Sequence, residues 1–277
     1  MKMAPPNLVN EPDGELPRRR CSRYRRRILE ISQSVAALHI APAFSCTEVV
    51  DTVYNELMKW KEDGSPLDVF IMSKGHGCMI QYVILEERGI LERTDLETYC
   101  KPDGRLGAHP DYGTPGIAAA TGSLGHGMGM AVGMAYAEKL QKNSSKIYLV
   151  LSDGECQEGS TWEAAMMAGN LKVDNLTAFV DYNDFSGLDR MSESHPAFHP
   201  LVDKFRSFGW DAVEVDGHSQ LDILSGAQRP HSARPLAVIC KTVKGKGVSY
   251  MENVPIWHYR SPNPEEYAIA MQQLQDE

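Results

Sequence analysis

The sequence predicts an α/β protein built on one mostly parallel sheet with helices on both faces. Three observations lead there. Short apolar runs of strand length, "LDVFIMS", "SKIYLVLSDG", "NLTAFVDYND", "DAVEVDGH" and "RPLAVICKTV", recur along the chain. Several are separated by helix-length segments, the alternation expected of parallel strands joined by crossover helices. The chain has 277 residues, 42% apolar and 23% charged, enough for a well-buried core.

In chain order, residues 1–17 hold four prolines and few apolar groups, so a flexible lead-in is expected there and a single domain over 18–277. The next stretch, "RRRCSRYRRRILEISQSVAALHI", has seven arginines between Arg18 and Arg27, followed by Ile28, Ile31, Val35 and Leu38 at helical spacing. The arginine run suits either a phosphate or acidic partner surface, or the solvated face of an opening helix; the second is the preferred reading. "TEVVDTVYNELMKW" and "GCMIQYVILEERGIL" read as helices on either side of the first strand. "LGHGMGMAVGMAYAEKLQ" reads as a small-residue helix that packs closely. A further helix is expected between "SKIYLVLSDG" and "NLTAFVDYND", and "HPLVDKFRSFGW" reads as another. The glycine cluster "GHGMGMAVG" follows "GIAAATGS" rather than a clear strand, so a dinucleotide fingerprint is the weaker interpretation.

The bulk properties narrow the function. A net charge of −9 gives no support for general nucleic-acid binding. No apolar run approaches the ~20 residues that cross a bilayer, and the N-terminus lacks the apolar core of a signal peptide, so a cytoplasmic protein without membrane partners is expected. Cys21, Cys46, Cys78, Cys100, Cys156 and Cys240 are scattered without a C-x-x-C pair, which points to free thiols in a reducing compartment.

The chemistry concentrates in "LSDGECQEGSTWEAAMMAGNLKVDNLTAFVDYNDF", Leu151 to Phe185. Two strands end at Asp153 and Asn183, joined by a segment long enough for one crossover helix. A right-handed crossover puts both C-terminal ends on one edge of the sheet, where open α/β sheets bind ligands. One carboxylate and one amide oxygen are hard donors that suit an octahedral ion such as Mg²⁺, whose shell is completed by water and phosphates. Gly154 lets the backbone approach a phosphate, and the helix N-terminus beyond it offers N–H groups. A Mg²⁺–diphosphate site follows. Asp153 and Asn183 taken alone also fit an ordinary turn and strand end.

The whole segment resembles the thiamine diphosphate signature of the transketolase family, with Ser152 where that family usually has the first glycine of Gly-Asp-Gly. Phe185 stands where a smaller aliphatic residue is usual. The resemblance extends from about Ile28 to Asn263 and implies the family's thiamine diphosphate-binding fold (its diphosphate-binding, or PP, domain). It implies Asp153, Asn183 and the Phe185 main-chain carbonyl as ligands of Mg²⁺, with Ca²⁺ or Mn²⁺ as substitutes, and Gly154 beside the diphosphate. "IMSKGHGCMIQYVIL" is similar to the family's L-S-K-G-H-A segment and implies Lys74 and His76 at the cofactor. "LGAHPDYGTPGIAAATGSLGHG" resembles the G-H-P and T-G-S-L-G-Q-G segments. It implies His109 in the substrate channel and Gly122, Ser123 and Leu124 against the cofactor, with His126 replacing a glutamine. "VICKTVKGKGVSYMENVPIWHYRSPN" resembles K-T-x-K-G-x-G-V…W-H-G, implying Lys241 and His258 near diphosphate and substrate, with Tyr259 replacing a glycine. "AALHIAPAFSCTEVV" puts His39 in a histidine slot, with Pro42 where some members have a serine. His195, His199, His218 and His231 fall outside these segments and read as ordinary polar or packing residues.

The resemblance covers only the diphosphate-binding half of a transketolase; no second strand series remains for the pyrimidine-binding half. It therefore implies the N-terminal subunit of a split transketolase. A partner subunit would carry the pyrimidine-binding domain and the glutamate that activates the cofactor, with two copies of each chain and Glu158 in a carboxylate network at the interface. The implied reaction moves a two-carbon ketol unit from a ketose or ketose phosphate to an aldose. Another thiamine diphosphate reaction (deoxyxylulose phosphate synthesis, or a keto-acid dehydrogenase first step) and a non-catalytic cofactor-binding paralogue are the alternatives.

Overall fold

A computed structural model describes residues 16–35, 38–231 and 233–275. Most of the expected lead-in lies outside the described residues. Pro17, assigned to it by sequence, is instead the first residue of helix α1 (Pro17–Ser32), where its missing N–H costs nothing.

In order, the chain forms α2 (Ile40–Ser45), α3 (Thr47–Thr52, continuing as a π turn Val53–Leu57), β1 (Val69–Met72), α4 (Met79–Glu87), α5 (Arg93–Glu97) and α6 (Gly127–Gln141). There follow β2 (Ile147–Ser152), α7 (Gly159–Leu171), β3 (Leu176–Tyr182), the short hairpin β4 (Phe185–Ser186) and β5 (Asp189–Arg190), then α8 (Met191–Ser194) and α9 (Leu201–Ser207). Last come β6 (Asp211–Asp216), α10 (Gln220–Ala227), β7 (Leu236–Lys241) and α11 (Pro264–Gln273). Five strands form one parallel sheet in the order β1-β2-β3-β7-β6, as the alternating sequence pattern predicts. Among the described residues no helix is long and apolar enough to cross a membrane.

The strand pleat divides the core into two layers, because successive side chains point to opposite faces. Phe70, Met72, Tyr148, Val150, Phe179, Val238 and Cys240 pack under α1 to α4 and α10. Ile71, Leu149, Leu151, Ala178, Val180, Ala237 and Ile239 pack under α6, α7 and α9. The inner strands β2 and β3 are buried almost throughout, whereas the edge strand β6 alternates, as expected for a sheet covered on both faces. The "GHGMGMAVG" cluster falls on α6, reached by a long irregular segment rather than by a strand.

The arginine run is not simply a solvated face. Arg20 is buried against Asp51, and Arg25 is buried against Glu48. Arg23 and Arg27 reach Glu87 and Glu86 on α4. α1 is thus fastened by charge to α3 and α4, whose acidic residues lie beyond the reach of any local sequence pattern. Within α1 only Ile28 and Ile31 continue the apolar repeat, since Val35 and Leu38 lie past its end. The short helices α2, α5 and α8 were not anticipated from sequence, nor were α10 and α11, although the last two each start with a side-chain cap: Ser219 on Asp222, and Asn263 with Glu266 in a capping box.

Candidate active site

β2, β3 and β7 end side by side, and the turn beyond each strand contributes to the site. Asp153, fully buried, opens a 3₁₀ turn Gly154–Gln157. Its Oδ1 accepts the Gly154 N–H at 2.9 Å, and its Oδ2 accepts the Asp184 N–H at 2.7 Å. Burial, then the neighbouring Asp181 carboxylate, push its pKa up to about 8. The departure at Ser152 has a local role: its Oγ accepts the Glu155 N–H at 3.1 Å and so closes the same turn.

Asn183 is buried just past β3. Its amide nitrogen donates to Ser45 Oγ and Asp181 Oδ2, both at 3.0 Å, while its Oδ1 accepts from the Phe185 N–H at 3.1 Å. These bonds turn the amide oxygen away from Asp181. A Cβ added to Gly154 would stand 3.1 Å from the Phe185 carbonyl oxygen, so that carbonyl lies against the Asp153 turn. The carboxylate, amide oxygen and carbonyl are hard oxygen donors and therefore fit a hard cation. Among the described residues there is no cluster of three or more His, Cys, Asp or Glu able to hold a metal.

Lys74 is buried and paired with Asp181, also buried. Its Nζ also donates to the Pro42 carbonyl at 2.8 Å, which gives Pro42 a role through its backbone. Asp181 further accepts from Ser45 at 2.6 Å and from Thr242. Burial opposes charge on both partners, but each holds the other ionised: Lys74 above its ordinary value and Asp181 below. Sequence reasoning missed Asp181, an acidic residue inside an otherwise apolar strand. It also missed Glu155, whose Oε1 accepts from Ser73 Oγ at 2.5 Å and the Gly125 N–H at 2.9 Å. Glu155 so ties the loops after β1 and before α6 to the β2 turn.

Four histidines expected from separate segments converge. The His39 ring centroid lies 5.8 Å from His76, 6.1 Å from His109 and 5.4 Å from His258, and His76 lies 5.3 Å from His258. Glycines permit the loops to close this tightly. A Cβ on Gly122, whose φ is +132°, would meet the His109 ring at 2.7 Å, and one on Gly75 would meet the Gly122 nitrogen at 2.7 Å. Ser123, exposed, and Leu124, half-buried, follow in the same turn. Burial first, and then neighbouring basic groups, hold His39 at about 4 and His258 at about 3, with His76 also well below the ordinary value. Near neutral pH these three rings are uncharged and offer one donor and one acceptor each.

The expected Lys241 does not join them. It ends β7 with a side chain 60% exposed, paired with Glu214 at 2.6 Å. The lysine that reaches the cluster is Lys244, which is 2% exposed. Its Nζ donates to the Gly187 carbonyl at 2.8 Å and to His258 Nδ1 at 2.9 Å, leaving the His258 proton on Nε2. It also sits 4.8 Å from the Phe185 ring centroid. Burial, then repulsion by Lys74, lower its pKa to about 8. Lys244 thereby links His258 to the hairpin that carries Phe185, and its place as the second lysine of "KTVKGKG" was the signal available for it.

Glu158 is exposed at the start of α7, close to Gly125, and lies outside the histidine cluster. Of the histidines read as ordinary, His199 stacks on Tyr182 with centroids 4.8 Å apart, and His231 bonds the Arg234 carbonyl. His195 is exposed beside Gln157, and His218 is held between Glu48 and Val243. Tyr259 is half exposed, its ring 5.9 Å from His258 and edge-on to it.

Residues 22–272 match the family "Transketolase, thiamine diphosphate binding domain". The chain is 37% identical over 257 residues to one subunit of the apulose-4-phosphate transketolase of Phocaeicola vulgatus, covering 91% of each chain. It is 35% identical over 263 residues to the 6-deoxy-6-sulfo-D-fructose transketolase subunit SqwG of Clostridium sp. strain MSTE9, covering 91% of this chain and 94% of that one. The transketolase from Leishmania mexicana superposes on 94% of the chain with a TM-score of 0.86 at 24% identity; the chain spans 41% of that protein's length. With a parallel α/β sheet, the converging site segments and these matches in hand, the chain belongs to the transketolase family, as its thiamine diphosphate-binding domain.

Proposed function

We propose that this chain is the diphosphate-binding subunit of a two-chain, thiamine diphosphate-dependent transketolase that moves a two-carbon ketol unit from a ketose or ketose phosphate to an aldose. The observation that carries this reading is the meeting of His39, His76, His109 and His258, through Lys244, with the buried oxygen set of Asp153, Asn183 and Phe185. When bound, thiamine diphosphate supplies an electron sink for the substrate's carbon skeleton. The chain's own residues do the rest. Asp153, Asn183 and the Phe185 carbonyl would hold Mg²⁺, whose charge would offset that of the diphosphate. Lys244 adds a cation beside it. The neutral rings of His39, His76 and His258 orient sugar hydroxyls by hydrogen bonds and accept or return their protons.

The proposed partner supplies the pyrimidine-binding half and its activating glutamate, in an assembly with two copies of each chain. A surface in need of cover supports an assembly. Tyr136 and Leu140 on α6 are 37% and 64% exposed, and Met166 and Met167 on α7 are 45% and 47% exposed. On α6 the exposed pair continues a stripe begun by Gly129 and Gly133, with open space at both glycines. Such apolar faces are characteristic of interfaces. The test is Asp153→Ala in the assembled complex: Mg²⁺-dependent cofactor binding is lost. Binding at the wild-type level by that variant overturns the metal assignment, and recovery of the chain alone, with a partner demonstrably expressed, overturns the assembly.

A further inference from the structure

The segment that carries Lys244 leaves the sheet in an unusual way. The Thr242 N–H still follows the β3–β7 ladder, donating to the Tyr182 carbonyl at 2.9 Å. The next amide, of Val243, finds a side chain instead: it donates to His218 Nε2 at 2.8 Å. A backbone N–H can only donate, so Nε2 bears no proton and the neutral ring carries its hydrogen on Nδ1. That nitrogen faces Glu48 Oε2 at 2.9 Å. The same carboxylate oxygen accepts from Arg25 at 2.7 Å, and Arg25 also donates to the Phe44 carbonyl in α2 at 2.9 Å. α2 is the helix that begins directly after His39, and its Ala41 carbonyl accepts the Gly245 N–H at 3.2 Å. One imidazole therefore joins the turn after β6, helix α3 and the first free amide before Lys244.

We infer that His218 is a positioning residue: by accepting the Val243 N–H in its Nδ1–H tautomer, it holds the Thr242–Gly247 segment so that Lys244 meets His258 and the diphosphate. His218 touches no site atom itself and acts through the main chain next to Lys244. A residue needed only to fill space would work equally well as phenylalanine. A positioning acceptor is replaced only by a side chain with an acceptor of similar reach, which glutamine has and asparagine lacks. The diphosphate part of this inference rests on the function proposed above.

The test compares wild type, His218→Gln, His218→Asn and His218→Phe in the full chain. ¹⁵N NMR of the wild-type ring is expected to show the Nδ1–H tautomer. Exchange of the Val243 amide is expected to speed up roughly tenfold or more in the Asn and Phe variants, the size of one lost hydrogen bond, and to stay near wild type in Gln, with the amides of β2 and β3 unchanged in all four. Inorganic pyrophosphate with Mg²⁺, followed by calorimetry, is expected to bind the Asn and Phe variants about tenfold more weakly and the Gln variant within about threefold of wild type. An Nε2–H tautomer, or unaltered Val243 exchange in the Asn variant, overturns the clamp. Faster Val243 exchange with undiminished pyrophosphate affinity overturns its link to Lys244. If wild type itself fails to bind pyrophosphate, the proposed diphosphate site falls, and the tautomer and exchange results still decide the clamp.

Discussion

Replacing Lys74 by methionine tests how far the site depends on one buried ion pair. The Lys74 and Asp181 side chains are 1% and 0% exposed. Methionine fills much of the lysine's volume, so the main loss is charge. Asp181 would keep its bonds from Ser45, Asn183 and Thr242, but its cation would be gone, with the buried Asp153 carboxylate nearby. Removing one member of a buried pair costs about 3–5 kcal/mol, a large part of a typical domain stability of about 5–15 kcal/mol. The expected fall in Tm is roughly 6–20 °C, at about 2–4 °C per kcal/mol for domains somewhat smaller than this one. The pH dependence follows from the directions of the two shifts. Asp181's folded pKa is depressed, so its contribution is present above the unfolded value of about 3.8 and lost as pH falls through the folded one. Lys74's is raised, so its contribution is present below about 10.5 and lost as pH rises through the folded value. Both operate at neutral pH. In the variant, burial without Lys74 would raise the Asp181 pKa, so the stability deficit narrows as the pH falls from 8 towards 5. Urea unfolding of wild type, Lys74→Met, Asp181→Asn and the double variant measures the coupling. The double variant should lose at least about 2 kcal/mol less than the sum of the single losses. Losses that add within about 0.5 kcal/mol would refute the argument.

Three further outcomes are expected. Gly127→Ala puts a Cβ 2.1 Å from Ser73 Oγ and 2.9 Å from Ser73 Cα. Rotating the hydroxyl cannot clear the backbone atom, so overpacking of about 1–3 kcal/mol should outweigh the roughly 1 kcal/mol gain in helix propensity; thermal unfolding showing equal or higher stability contradicts this. Burial would raise the pKa of Glu48, but Arg25 and His218 outweigh it and hold it at about 2. Its contribution is thus present above the unfolded value and lost as pH falls towards 2. Urea midpoints of wild type and Glu48→Gln should converge between pH 5 and pH 2.5, the acid-sensitive part being about 3 kcal/mol; a constant gap counts against it. Finally, Lys244→Ala should weaken Mg²⁺–pyrophosphate binding by at least about tenfold, the scale of one charge-assisted hydrogen bond, while Lys241→Ala stays within about twofold. Equal losses in the two variants would undo the distinction between the buried and the exposed lysine.

That distinction marks where reading the chain by pattern stops. The sequence by itself determined the parallel sheet and the longer helices α1, α3, α4, α6, α7 and α9, because the apolar runs of β2, β3 and β7 need cover on both faces and their spacing admits crossover helices. It also placed Asp153 and Asn183 at the ends of two strands on one sheet edge, since both sit where an apolar run meets a polar turn and one crossover joins the runs; that the two strands are neighbours is a finding of the structure. The histidines of four separate segments were legible through resemblance, which carries distant positions as a set. Only the tertiary structure decided which charges are buried and by what they are neutralised. Asp181 and Lys74 are 107 residues apart, and Glu48 and His218 are 170 apart. In each case the partner that stabilises the charge belongs to another element. The choice between Lys241 and Lys244 had the same origin. Lys241 is still in the sheet, at the end of β7 beside Glu214, and three residues later the chain has left the ladder, with Val243 held by His218 and Lys244 turned inward to His258. The energy of a charged group depends on its solvent access and on neighbours brought from far along the chain, and neither is set by the residues beside it in sequence.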